Sequence, residues 1–299
     1  MKCLSTLDSF IFVLMVSIAL SAAGCAPPPE KAQPSTAPLR EALTFHASFD
    51  NGPDADFARG DELIYTAPSF DERNKAEPGI GNPDVEIVAD AGRFGSALRF
   101  NKKNTHGIFY KAENHVAYTE HDWSGTVSFW LSLTPGEDLE PGYCDPIQIT
   151  DVRYNDAAVW VDFTKDNPRQ FRLGVFGDFE VWNPENVDSG QNPDFMNRLV
   201  VVDPPPFRRD QWTHVVITFS GLGSESEGTA KLYLNGKLQG TSTNIQEPFT
   251  WDLSQAQIRV GVNYVGMYDE LALFDRPLSD EEVMALHELE AGITSLYFN

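Results

Sequence analysis

In Val159-Trp160-Val161-Asp162-Phe163, aliphatic and phenyl side chains alternate with an indole and a carboxylate. A strand turns successive side chains to opposite faces, so if Val159, Val161 and Phe163 point inward, Trp160 and Asp162 share the outer face. On the next segment Phe171, Leu173 and Val175 repeat the inward set and leave Arg172 outward. An indole beside a carboxylate and a guanidinium is suited to sugar recognition: the ring face stacks on sugar C–H groups while the charged groups orient hydroxyls. Trp182, in the polar stretch that follows, is placed to close over that face. Trp160, Asp162, Arg172 and Trp182 are therefore the candidate ligand-binding set, against the plainer reading that a Trp is packing. Metal chemistry of the zinc type has no support, because the six His show no H-x-x-x-H or H-E-x-x-H pair and Cys144 stands alone.

The elements that must position these residues have a period of two. Val127, Phe129, Leu131 and Leu133 fall on one face, with Thr126, Ser128, Trp130 and Ser132 on the other. Thr213 to Phe219 and Ile258 to Asn263 follow the same plan, and all read as half-buried strands. Asn235-Gly236, between Leu232-Tyr233-Leu234 and Lys237-Leu238, signals a type I′ hairpin, since both residues accept positive φ. One helix is expected, from Ser279 to Glu290: Ser279 and Glu282 make a capping box, Leu278 staples onto Val283, and Gly292 lies past the end. Asn183 to Asn197 is too long for a hairpin loop and reads as a surface excursion or lid. Strands without alternating helices exclude Rossmann and α/β-barrel folds and predict an all-β, two-sheet antiparallel jelly-roll sandwich with one short C-terminal helix, spanning residues 42–299.

The formal charge is −22, from 44 Asp and Glu against 22 Lys and Arg, which excludes nucleic acid as a partner for want of a basic surface. The same acid supplies oxygen ligands of the kind calcium takes.

Residues 1–24 read as a secretory signal: Lys2, an apolar run from Phe10 to Leu20, and the small residues Ser21 to Gly24. Leu20-Ser21-Ala22-Ala23-Gly24-Cys25 resembles a bacterial lipobox, with Ala22 where Leu is usual; the resemblance implies lipidation of Cys25. Residues 25–41 are then a Pro-rich tether that lifts the domain from a membrane touched only through the lipid. The protein is expected to be extracytoplasmic, and Ala26, in place of an Asp-type retention signal, favours the outer membrane. Cleavage leaves Cys144 as the domain's lone thiol and excludes a disulfide framework.

Five segments in order carry a family resemblance: Gly92-Arg93-Phe94-Gly95-Ser96-Ala97-Leu98-Arg99-Phe100, Val127-Ser128-Phe129-Trp130, Trp212-Thr213-His214-Val215-Val216, Leu232-Tyr233-Leu234-Asn235-Gly236 and Tyr268-Asp269-Glu270-Leu271 through Ser279. Together they are similar to the laminin-G-like domains of the concanavalin A-like lectin/glucanase superfamily. The resemblance implies two curved antiparallel sheets, a structural calcium held by Asp50 and Asp269 with Asp54 nearby, and functions spread over glycan binding, adhesion and glycoside hydrolysis. It also assigns Trp130, Trp212 and His214 to packing.

A laminarinase-type hydrolase on this fold would carry E-x-D-x-x-E along one strand, so that acid and nucleophile project into one cleft. Glu180 to Glu185 lacks the middle Asp, and the adjacent Asp269 and Glu270 fall on opposite faces of a regular strand. No catalytic residue is assigned. The sequence thus predicts a non-catalytic binding module for a polysaccharide or a cell-surface protein. The alternatives are a diverged glycoside hydrolase or lyase on the same fold and an adhesion domain without a small ligand.

Overall fold

The computed structural model describes residues 36–224 and 227–297. The signal segment 1–24, Cys25 and most of the tether lie outside the described residues. Among the described residues the strands form two antiparallel sheets, one of nine strands and one of eight. The nine-stranded sheet is centred on Trp123–Ser132, flanked by Thr213–Leu222 and Gly266–Phe274. The eight-stranded sheet has the central order Val200–Val202, Phe171–Phe176, Ala158–Phe163, Cys144–Thr150, Gln257–Val262.

The inward sets expected from alternation meet in one core: Val127, Phe129, Leu131 and Leu133 from the first sheet, Val159, Val161, Phe163, Phe171, Leu173 and Val175 from the second. The outer faces depart from the half-buried expectation, for they too are covered. The helix Asp280–His287 lies over the first sheet, where Trp130 stacks on His214 and His287 at centroid separations of 4.6 and 5.3 Å. That helix begins in the expected capping box, Ser279 and Glu282 each serving the other's backbone N–H, and Val283 and Leu278 share its buried cluster. It ends at His287, shorter than the sequence suggested. Asn235 and Gly236 adopt φ of 50° and 73°, the type I′ hairpin.

The folded unit starts before residue 42. Ala37–Ala42 is a short helix with Pro38 in its first turn, and Leu39 is buried with Phe274 and Leu278, so the last residues assigned to the tether are part of the fold. The excursion Asn183–Asn197 lies against the outer face of the second sheet and is held by its own amides. Asn183 Oδ1 accepts from Val187 N and Asn192 Nδ2, and Asn192 caps the helix Pro193–Asn197.

Candidate ligand-binding cavity

The outer face of the second sheet is a ladder of buried polar side chains. Asp162 and Arg172 face each other across neighbouring strands, and the guanidinium donates through Nε and Nη2 to both carboxylate oxygens, the Nε contact at 2.8 Å. One strand further on, Gln148 Nε2 donates to Asp145 Oδ2 at 2.8 Å, while Gln148 Oε1 accepts from Arg259 Nη1 at 2.6 Å. Arg259 also donates to Gln257 Oε1 and to the carbonyl of Val152, so it ties the ladder to the loop that carries Tyr154.

Over this ladder lies a cavity of about 480 Å³. Asp145, Gln148, Trp160, Asp162 and Arg172 contribute to its lining from the sheet, Asp188, Ser189, Phe195 and Met196 from the excursion. Tyr143 and Tyr154, 47% and 40% exposed, stand at its margin and offer aromatic surface to a ligand. The Arg172 guanidinium lies 5.2 Å from the Tyr143 ring centroid.

Burial dominates the electrostatics. Asp145, largely buried and facing the charge of Asp162, has its carboxyl pushed well above the usual range. Burial raises Asp162 as well, against the Arg172 pairing that lowers it. With both its oxygens held by Arg172, Asp162 is the member of the pair stabilised as an anion, and Asp145 is the one that takes a proton.

Three of the four sequence-selected residues line this cavity: Trp160, Asp162 and Arg172. Trp160 does face outward as the alternation requires, but it is no open platform. It is 1% exposed, packed beside the mutually stacked Phe176 and Phe195 rings, with its indole N–H given to the carbonyl of Tyr154. Gly174 makes this possible, since a Cβ there would sit 2.1 Å from the Trp160 ring. Trp182 is not among the lining residues. It ends the short helix Phe179–Trp182, donates to Asn155 O at 2.9 Å and packs on Phe176, buttressing the wall from behind rather than closing over the site.

Asp145, Gln148, Tyr143 and Tyr154 escaped the sequence reading. Strict alternation with Ile147 and Ile149 would turn Asp145 into the core. Against the Ala158–Phe163 strand, however, Val161 pairs with Ile147 and Phe163 with Cys144, a bulge of one residue. The extra residue reverses the faces: Cys144 enters the core and Asp145 comes out to the cavity. Pro146 within the strand was the available signal, because proline in a strand marks an edge or a bulge.

The residues expected to hold calcium divide. Asp50 and Asp269 reach the same turn, Gly92–Ser96: Asp50 Oδ1 accepts from Ser96 N at 2.6 Å and Asp269 Oδ2 from Phe94 N at 3.1 Å. Gly92 and Gly95 leave room for them, since a Cβ would meet Asp269 at 2.7 Å and Asp50 at 2.0 Å. Asp54 instead accepts from Ile64 N at 2.9 Å. As a set of three ligands they do not fit, and among the described residues no three His, Cys, Asp or Glu side chains group as a metal site.

Burial and the neighbouring Glu270 raise Asp269 to about 9. The unfolded chain releases this proton near the ordinary value of 3.8 while the folded chain keeps it to about 9. Stability therefore falls as pH rises through that window, by up to about 1.4 kcal/mol per pH unit, and levels off above it. Asp269→Asn removes this component, so the melting temperature of the variant declines less than that of the parent between pH 5 and pH 9; parallel profiles would contradict it.

The two-sheet fold and its covered faces define the class. The chain belongs to the concanavalin A-like lectin/glucanase superfamily, whose laminin-G family model matches residues 110–284. Among solved structures it is similar to domain 4 of a GH43 extracellular arabinanase from Geobacillus stearothermophilus, in complex with arabinotriose. That match has a TM-score of 0.50 and 20% identity and covers 83% of this chain and 98% of the other. It is also similar to the binding domain of botulinum neurotoxin serotype D, with a TM-score of 0.54 and 12% identity, covering 84% of this chain and 52% of that one. The chain thus spans about half the length of the neurotoxin chain. These likenesses concern the fold. No curated protein matches the chain.

Proposed function

We propose that the protein is a non-catalytic, extracytoplasmic binding module that holds a carbohydrate, free or on a cell-surface partner, in the cavity between Tyr143 and Tyr154. The observation that carries this is the cavity itself. Its volume of about 480 Å³ lies within the range of about 300–1,000 Å³ of small-molecule sites. A bidentate ion pair and a second carboxyl lie along its floor, and two half-exposed tyrosines stand at its margin. That a domain of this fold has been seen with arabinotriose supports the carbohydrate class without naming the sugar. Lipid on Cys25 would display the module from a membrane, the outer one favoured by Ala26.

A structural calcium belongs to this proposal only at the Gly92–Ser96 turn, with Asp50 and Asp269. There the ion would take the place of the Asp269 proton, so millimolar calcium flattens the pH profile described above and EGTA restores it.

The second reading, hydrolysis, rests on the presence of two carboxyls, Asp145 and Asp162, in one cavity. It ranks lower because Arg172 engages both oxygens of Asp162, so that carboxylate is not free to act as nucleophile or base opposite Asp145.

The direct test is Tyr143→Ala. Its side chain is half-exposed and among the described residues makes no hydrogen bond, so the fold keeps its melting temperature while affinity for the bound sugar drops about 3- to 10-fold, the worth of one aromatic contact. Unchanged affinity would remove the site from this cavity.

A further inference from the structure

The hydrogen-bonding atoms that the protein leaves unpaired at the cavity floor select what enters it. Arg172 engages Asp162 through Nε and Nη2, and among the described residues its Nη1 has no hydrogen-bond partner. Asp145 uses Oδ2 for Gln148, and among the described residues its Oδ1 has no hydrogen-bond partner. Neither atom is sealed away from solvent, and both residues line the cavity. A guanidinium N–H group and a carboxyl oxygen lining one cavity suit sugar hydroxyls, each of which donates and accepts. A carboxylate-bearing sugar is not matched. It would meet Asp162 and Asp188 with Lys165 and an Arg172 already committed to Asp162, on a chain of net charge −22. The raised Asp145 carboxyl spares a neutral ligand the cost of facing a second buried anion.

The margin bears on how a chain would lie. Tyr154 Oη is 3.1 Å from Ser189 Oγ, tying the 154 loop to the excursion, and Asn263 Nδ2 donates to Tyr143 O at 3.4 Å. The second of these runs between adjacent paired strands, whereas the first joins two separate loops of the rim, and a polymer passing between them would have to break that bond. We infer that the cavity takes the uncharged terminal residue of a glycan chain, its adjacent hydroxyls divided between Arg172 Nη1 and Asp145 Oδ1. This rests on the carbohydrate reading and narrows it from a polysaccharide at large to a neutral chain end.

Isothermal titration of the protein tests it. The probes are neutral gluco-, xylo-, manno-, galacto- and arabino-oligosaccharides of two to six residues, with oligogalacturonides of the same lengths beside them. In the neutral series that binds, molar affinity varies by no more than about threefold with length, and the oligogalacturonides give no heat. Asp145→Leu weakens that binding at least about tenfold with no loss of melting temperature, since it replaces a buried polar carboxyl, the hydroxyl partner, with an apolar side chain of similar size. Affinity that climbs steadily to six residues, or oligogalacturonide binding equal to the neutral series, overturns the neutral chain end while leaving a carbohydrate site. An Asp145→Leu protein that binds as well as the parent overturns the hydroxyl assignment. Silence from every sugar overturns the carbohydrate reading itself.

Discussion

Asp162→Ala melts on the order of 10 °C below the parent protein. The Asp162 and Arg172 side chains are 5% and 7% exposed, and the pair is bidentate. Removing the carboxylate leaves a largely buried guanidinium without its bidentate partner. Breaking a buried pair from one side costs about 3–5 kcal/mol. A domain of this size shifts its midpoint by about 2–4 °C per kcal/mol. The pair is not required for the fold itself, so Asp162→Leu combined with Arg172→Met recovers most of the loss while binding stays abolished. Thermal unfolding of the three proteins checks this: a single variant within 2 °C of the parent, or a double variant no better than the single, contradicts the account.

Trp160→Ala has an effect of similar size through packing. The indole fills the space between Phe176, Phe195 and the bare Gly174, and its N–H anchors the Tyr154 loop. Truncation opens a void worth about 3–5 kcal/mol and removes the support on which Phe195 and the helix Pro193–Asn197 rest. Gly174→Ala reaches the same place from the other side, driving a methyl into the ring. Both variants are expected to lose binding together with stability, read as a lowered melting temperature and a flat titration. Tyr143→Ala separates the two properties. If Trp160→Ala kept full stability, the ring would be a ligand platform after all.

The contrast between these residues shows what the sequence could reveal about the site. Period-two alternation put Trp160, Asp162 and Arg172 on one outer face, because side-chain direction along a regular strand follows from covalent geometry alone. Whether that face is open depends on what packs over it. The cover is Phe195, on a helix of five residues within a polar stretch whose Asn and Pro content reads as loop. Trp182 was misplaced for the same reason: one helical turn swings its indole toward Phe176 instead of the cavity. Asp145 was hidden by the bulge opposite Phe163, a register feature set by pairing between strands that no single strand encodes. Asp54 sits four residues from Asp50, yet its hydrogen bond to Ile64 takes it away from the turn that Asp50 and Asp269 share. The capping box and the Asn-Gly hairpin, whose determinants are local, came through unchanged.

The measurement that bears most directly on the central claim is thermal unfolding of the protein against a panel of polysaccharides, with the size of the recovered sugar determined afterwards. A glycan present at about 100 times its Kd adds about 2.7 kcal/mol to stability. At least one neutral glycan is expected to raise the melting temperature and to be recovered at its original length, and the shift is expected to disappear in Tyr143→Ala. Shortened products would assign the cavity to hydrolysis, and no shift with any glycan would contradict the carbohydrate site.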